Sequence, residues 1–107
     1  MEFDAVLIPP RRARNLQAGH WRDQTINDAL DQAVRERPQQ LALTAWRTED
    51  DAVRRFSYAE LARMADRMAV GLHRLGVRRN DVVACQLPNW WQFTLLYLAC
   101  LLYTSDA

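Results

Sequence analysis

The apolar positions of this chain change period several times along its length, and each change marks an element. Ile26, Ala29, Leu30, Ala33 and Val34 recur at helical spacing behind Thr25. Thr25 is a favoured N-cap residue, and Asp28, three positions on, puts a negative charge near the positive end of the helix. Pro38 ends the pattern, because the residue before a proline avoids the α region. The spacing predicts a helix near Thr25–Arg37. Leu41–Trp46 then reads as a short apolar strand, Arg47–Asp51 as a polar hairpin turn, and Val53–Phe56 as the return strand.

Ser57 and Glu60 stand at capping-box spacing, in which each side chain bonds the other's free backbone N–H. The helix they open carries Leu61, Met64, Ala65, Met68, Leu72 and Leu75 on one face, with Arg63, Arg67 and Arg74 off it. Gly76 is placed to end that helix in the left-handed conformation. Past a charged turn at Arg78–Asp81, the run Val82–Leu87 is apolar nearly throughout, the mark of a strand covered on both faces in a parallel sheet. Pro88 ends it, and Asn89 is expected to cap a last helix with Gln92 at its third position. Helix, strand, helix, strand and helix in this order predict a layered α/β fold. There is no internal repeat and no low-complexity segment.

The last helix raises a functional question. Its apolar run, Trp90–Tyr103, is about 14 residues long, and crossing a bilayer takes about 20. An interfacial membrane helix carries a strongly charged opposite face, and no charge falls between Trp90 and Thr104. A helix apolar all round belongs inside a larger protein. Trp90, Trp91 and Phe93 are expected to pack in a core or between subdomains rather than to contact a substrate. Two other function classes suit the same helix: a small module that docks a partner, and an interfacial lipid binder.

Composition narrows these choices. With 107 residues the chain is one small domain at most, and with half its residues hydrophobic and 25% charged it is a globular rather than a disordered sequence. A net charge of +1 provides no field for a nucleic acid. Cys85 and Cys100 lie in apolar runs without metal-ligand spacing and read as reduced core thiols of a cytoplasmic protein. His20 and His73 are isolated, with His73 expected to face solvent, and Met64 and Met68 read as core filler. The first residues do not read as a signal peptide, since Glu2 and Asp4 precede a short apolar run and the arginines follow it. Pro9-Pro10 is expected to prevent a helix and to make residues 1–20 an extended arm. Arg11, Arg12 and Arg14 on that arm could grip phosphate but read chiefly as solvated.

The segment from Arg55 to Cys100, RFSYAELARMADRMAVGLHRLGVRRNDVVACQLPNWWQFTLLYLAC, resembles the N-terminal region of the AMP-forming acyl-CoA synthetases, the adenylate-forming superfamily of acid–CoA ligases. The matching marks are the aromatic-Ser-Tyr-x-Glu-Leu opening at Phe56–Leu61, Leu75-Gly76-Val77 at the helix end, the turn from Arg79 into Val82-Val83, and Leu87-Pro88-Asn89 before the last helix. The likeness extends upstream to about Gly19, and within the family it leans towards ligases for short- or medium-chain fatty acids, cyclohexanecarboxylate and aryl acids. It implies a partial α/β fold, incomplete as it stands: residues 21–100 as the N-terminal part of the ligase domain.

The resemblance also implies a chemistry. A carboxylate attacks the α-phosphate of ATP with Mg²⁺ to give an acyl-adenylate and pyrophosphate, and the thiol of coenzyme A then displaces AMP. The partners implied are therefore a carboxylic acid, ATP and coenzyme A, with no nucleic acid and no transmembrane segment. The family's glycine-rich phosphate loop is not in this chain. Tyr103-Thr104-Ser105-Asp106-Ala107 echoes its first letters without its glycines, and with no lysine anywhere the family's catalytic lysine is missing too. No catalytic, cofactor-binding or metal-binding residue is assigned, and neither ATP, Mg²⁺ nor coenzyme A is expected to bind this stretch alone. Residues 101–107 leave the family pattern and read as a truncated or non-native tail. A chain with this helix uncovered is expected to be sticky or molten.

Overall fold

The computed structural model describes residues 9–102, which form four helices and a two-stranded sheet. The α/β composition is as the sequence predicts. Residues 1–8 of the expected arm and 103–107 of the expected tail lie outside the described residues.

The first element corrects an expectation. Pro9–Gln17 is a helix, α1, rather than extended chain. Both prolines sit in its first turn, where a missing N–H breaks no hydrogen bond and the fixed φ is already helical. Gly19, at φ 78°, turns the chain back, and the amides of His20 and Trp21 both donate to the Asn15 carbonyl. Arg11 lies over the Trp21 ring at 5.9 Å and Arg12 reaches Asp23 at 3.9 Å, contacts that are exposed and weak.

α2 spans Ile26–Glu36. Its cap is a full box: Asp28 N–H donates to Thr25 Oγ1 at 3.0 Å, and Thr25 N–H donates to Asp28 Oδ2 at 2.9 Å. The strands β1, Leu41–Arg47, and β2, Ala52–Ser57, pair antiparallel. The register slips between Leu41 and Leu43, a bulge that breaks strict alternation. Ala42 and Leu43, neighbours in sequence, therefore both pack on the core. The turn places Asp51 at φ 55°, where Asp is among the few residues tolerated, and the Asp50 carboxylate accepts from Ala52 N–H at 3.1 Å.

α3, Tyr58–Arg74, is the organising helix. Its first amides are satisfied from outside, Tyr58 N–H by the Gln40 carbonyl and Ala59 N–H by the Pro38 carbonyl, which ties its start to the α2–β1 loop. The Ser57–Glu60 box forms only in part. Glu60 N–H donates to Ser57 Oγ at 3.2 Å, but the return bond is the Ser57 hydroxyl donating to Glu60 Oε1, since Ser57 is also the last residue of β2. Gly76, at φ 101°, ends the helix as predicted. Val77 N–H reaches the Leu72 carbonyl and Gly76 N–H the His73 carbonyl, the paired bonds of a Schellman turn. Leu75, expected on the apolar stripe, is 83% exposed because the helix stops one residue before it.

The expected strand at Val82–Leu87 does not form. Residues 81–88 are irregular, and Val82, Cys85 and Leu87 are exposed. A strand exists only by exchanging hydrogen bonds with a neighbour, and the sheet among the described residues ends at β1 and β2. Cys85 is accordingly not a core thiol. α4 begins at Trp91, one residue later than an Asn89 cap requires, and runs to Leu102. It packs along α3 and touches α2. The core sits between these helices and the sheet: Phe56, Leu61, Ala65, Leu95 and Leu98, flanked by Leu30, Met64, Met68 and Trp91.

Candidate functional site

A cleft of about 210 Å³ lies where the β1–β2 hairpin meets the head of α4. Trp46, Arg47 and Arg54 reach it from the hairpin, and Asn89, Trp90, Trp91 and Gln92 from the start of α4. The sheet register explains why two arginines meet there. Arg54 pairs with Ala45 and Arg47 with Ala52, so both side chains stand near one end of a short ladder.

Their guanidinium groups lie over rings. Arg54 stacks 4.4 Å from the Trp91 centroid and 5.1 Å from that of Phe56, and those two rings are themselves 5.4 Å apart with a tilt of 46°. Arg47 lies 5.0 Å over Trp90 and 3.6 Å from Glu49. Each such cation–ring contact contributes roughly 0.5–1 kcal/mol at an exposed site. Trp46 is 67% exposed, its indole N–H donating to Asp51 Oδ1 at 3.3 Å. Gln92 Oε1 lies buried with no hydrogen-bond partner, a strained position for an amide oxygen.

This lining is suited to binding or packing. It contains no serine, cysteine, histidine or lysine to act as nucleophile or base. Its one acid, Asp50, is engaged with the turn amide. Of the aromatics singled out in the sequence, Trp91 packs on the core and Trp90 is half-buried beneath Arg47, whereas Phe93 is 40% exposed and outside this chain's core. His73 is exposed on the last turn of α3, and its carbonyl accepts from Arg78 Nη1 at 2.7 Å. Sequence reasoning missed Arg47 and Arg54. The only available signal was two tryptophans with no acidic neighbour, a pairing that favours cationic cover.

The described residues do not form a glycine-rich phosphate loop. The chain has three glycines: Gly19 and Gly76 close turns and Gly71 lies within α3, so none lines the cleft. Among the described residues no group of three His, Cys, Asp or Glu side chains is placed to hold a metal ion, and no helix is long and apolar enough to cross a membrane.

Comparison with known proteins shows a family for most of the chain. Residues 30–104 match the family model described as AMP-binding enzyme. The chain is similar to the 2-hydroxy-7-methoxy-5-methyl-1-naphthoate–CoA ligase of Streptomyces carzinostaticus, 38% identical over 83% of the chain and 15% of that protein. It is 39% identical, over 90% of its length and 17% of the other's, to a salicyl-AMP ligase / salicyl-S-ArCP synthetase of Mycobacterium tuberculosis. To the medium-chain fatty-acid–CoA ligase of Escherichia coli it is 34% identical over 94% of the chain and 17% of that ligase. The chain thus spans about one sixth of the length of these curated relatives.

Proposed function

This chain belongs to the AMP-binding enzyme family, and from that membership we propose that it is the N-terminal portion of an AMP-forming acid–CoA ligase. In this reading the whole protein joins a carboxylate to AMP with release of pyrophosphate and then passes the acyl group to the thiol of coenzyme A, in the cytoplasm. The observation that carries the reading is the match over residues 30–104. The names of the relatives support it, since each is named as a ligase joining an acid or acyl group to CoA or AMP. Adenylation suits that task because a carboxylate oxygen leaves readily only as part of a good leaving group. The aryl acids and medium-chain fatty acids named for the relatives define the substrate range to try first.

Within such a ligase these residues supply scaffold. No glycine lines the cleft, and its two cations, Arg47 and Arg54, lie over the Trp90 and Trp91 rings, so no step of the reaction is assigned to it. We expect this chain alone to release no pyrophosphate from ATP with any carboxylic acid. The test has two arms: pyrophosphate release by the 107-residue chain, and carboxylate-dependent ATP–pyrophosphate exchange by a longer protein beginning with the same residues. Turnover by the chain itself would overturn the scaffold assignment. A longer protein inert towards aryl, alicyclic and fatty acids alike would overturn the ligase assignment.

A further inference from the structure

A second hollow, of about 190 Å³, lies between the irregular segment 81–88 and the outer face of α4. Both cysteines of the chain line it, Cys85 from the segment and Cys100 from the last turns of α4, and both are free thiols. Val83, Phe93, Leu96 and Tyr97 complete the lining. Cys85 is exposed and Cys100 half-buried, so the two differ in access. The mouth is open, with Phe93 40% and Tyr97 51% exposed.

We propose that Cys85 and Cys100 are a site of reversible oxidation, forming a disulfide across this cavity by exchange with a low-molecular-weight disulfide such as oxidised glutathione. The Cys85 thiolate attacks one sulfur of the reagent, whose S–S bond breaks to release one reduced thiol. Cys100 then attacks the Cys85 sulfur of the mixed disulfide and expels the second. The reagent disulfide is reduced to two thiols, and the two protons lost by the cysteines end on them. Exposure makes Cys85 the first to react, since access and thiolate character both govern thiol exchange.

Two features allow the second step. A disulfide needs the two Cα atoms within roughly 4.4–6.8 Å, and the two cysteines already line one cavity, with Cys85 on a segment that belongs to no strand ladder. Burial and then the charge of the Cys85 thiolate push the Cys100 thiol above its ordinary pKa. Modification of Cys85 removes that charge and so eases ionisation of Cys100 once the mixed disulfide is in place.

The experiment treats the reduced 107-residue chain with oxidised glutathione, caps remaining thiols with N-ethylmaleimide, and reads the intact mass without reductant. The expected product is a monomer lighter by two hydrogens that takes up no maleimide, restored by dithiothreitol. Cys100→Ser should instead stop at a glutathione adduct on Cys85. A wild-type chain that keeps a stable glutathione adduct, forms only disulfide-linked dimers, or takes up two maleimides unchanged would overturn the proposal. The wild-type reading decides the matter even where the serine variant does not fold.

Discussion

Leu95→Ala is the sharpest perturbation of this fold. Leu95 is 2% exposed and sits among Phe56, Leu61, Ala65 and Leu98, contributed by β2, α3 and α4. The substitution removes three carbon groups, each contributing about 0.8 kcal/mol when buried, or about 2.4 kcal/mol in all. A cavity term adds to this, and it should be large because the surrounding side chains rise from three packed elements that cannot easily collapse inward. The expected loss is therefore about 3–4 kcal/mol, within the range of about 2–5 for buried Leu→Ala changes. A small domain has a stability near the lower end of about 5–15 kcal/mol, so more than half is removed. Urea unfolding followed by tryptophan fluorescence measures it directly, with four tryptophans as probes. The control is Tyr97→Ala on the same helix, whose side chain is 51% exposed and should cost no more than about 1 kcal/mol. If the two variants unfold at the same urea concentration, Leu95 is not the centre of a packed core and the argument fails.

Three further outcomes follow from caps and titration. Gly76→Ala should lower stability by about 1–2 kcal/mol in the same assay. The cost is conformational, because φ is 101° and no atom beyond the adjoining residues lies within 4 Å of the added Cβ; a neutral result would contradict the left-handed cap. Thr25→Ala should cost about 1 kcal/mol and fray α2, read as lost helical circular dichroism, because it removes the acceptor for Asp28 N–H. Finally, the Cys100 thiol is raised by burial and then by Cys85, so above the ordinary thiol pKa of about 8.5 the unfolded chain releases a proton that the folded chain retains. Stability should therefore be intact at neutral pH and fall as pH rises past that value. Cys100→Ser should flatten the fall, and an unchanged slope would show that another group is responsible.

Helices α2 and α3 and their punctuation were determined by local sequence. Thr25 with Asp28, Ser57 with Glu60, and Gly76 act within one turn of backbone, so their hydrogen bonds form wherever the helix forms. The hairpin is local for the same reason, its strands separated only by a short turn. Family membership was legible too, because it rests on the order of such marks rather than on any contact between them. What needed tertiary structure was everything that depends on a distant partner. Val82–Leu87 has the composition of a buried strand, but composition supplies no neighbouring ladder, and the segment runs irregular and exposed. Pro9-Pro10 reads as a helix breaker until the helix is seen to start there, where the same ring constraint costs nothing. Arg47 and Arg54 are ordinary strand-surface residues by pattern; only the packing of the hairpin against the head of α4 lays them on Trp90 and Trp91. Cys85 and Cys100 likewise meet at one cavity because α4 folds back beside the segment that precedes it, a long-range event that spacing alone does not encode.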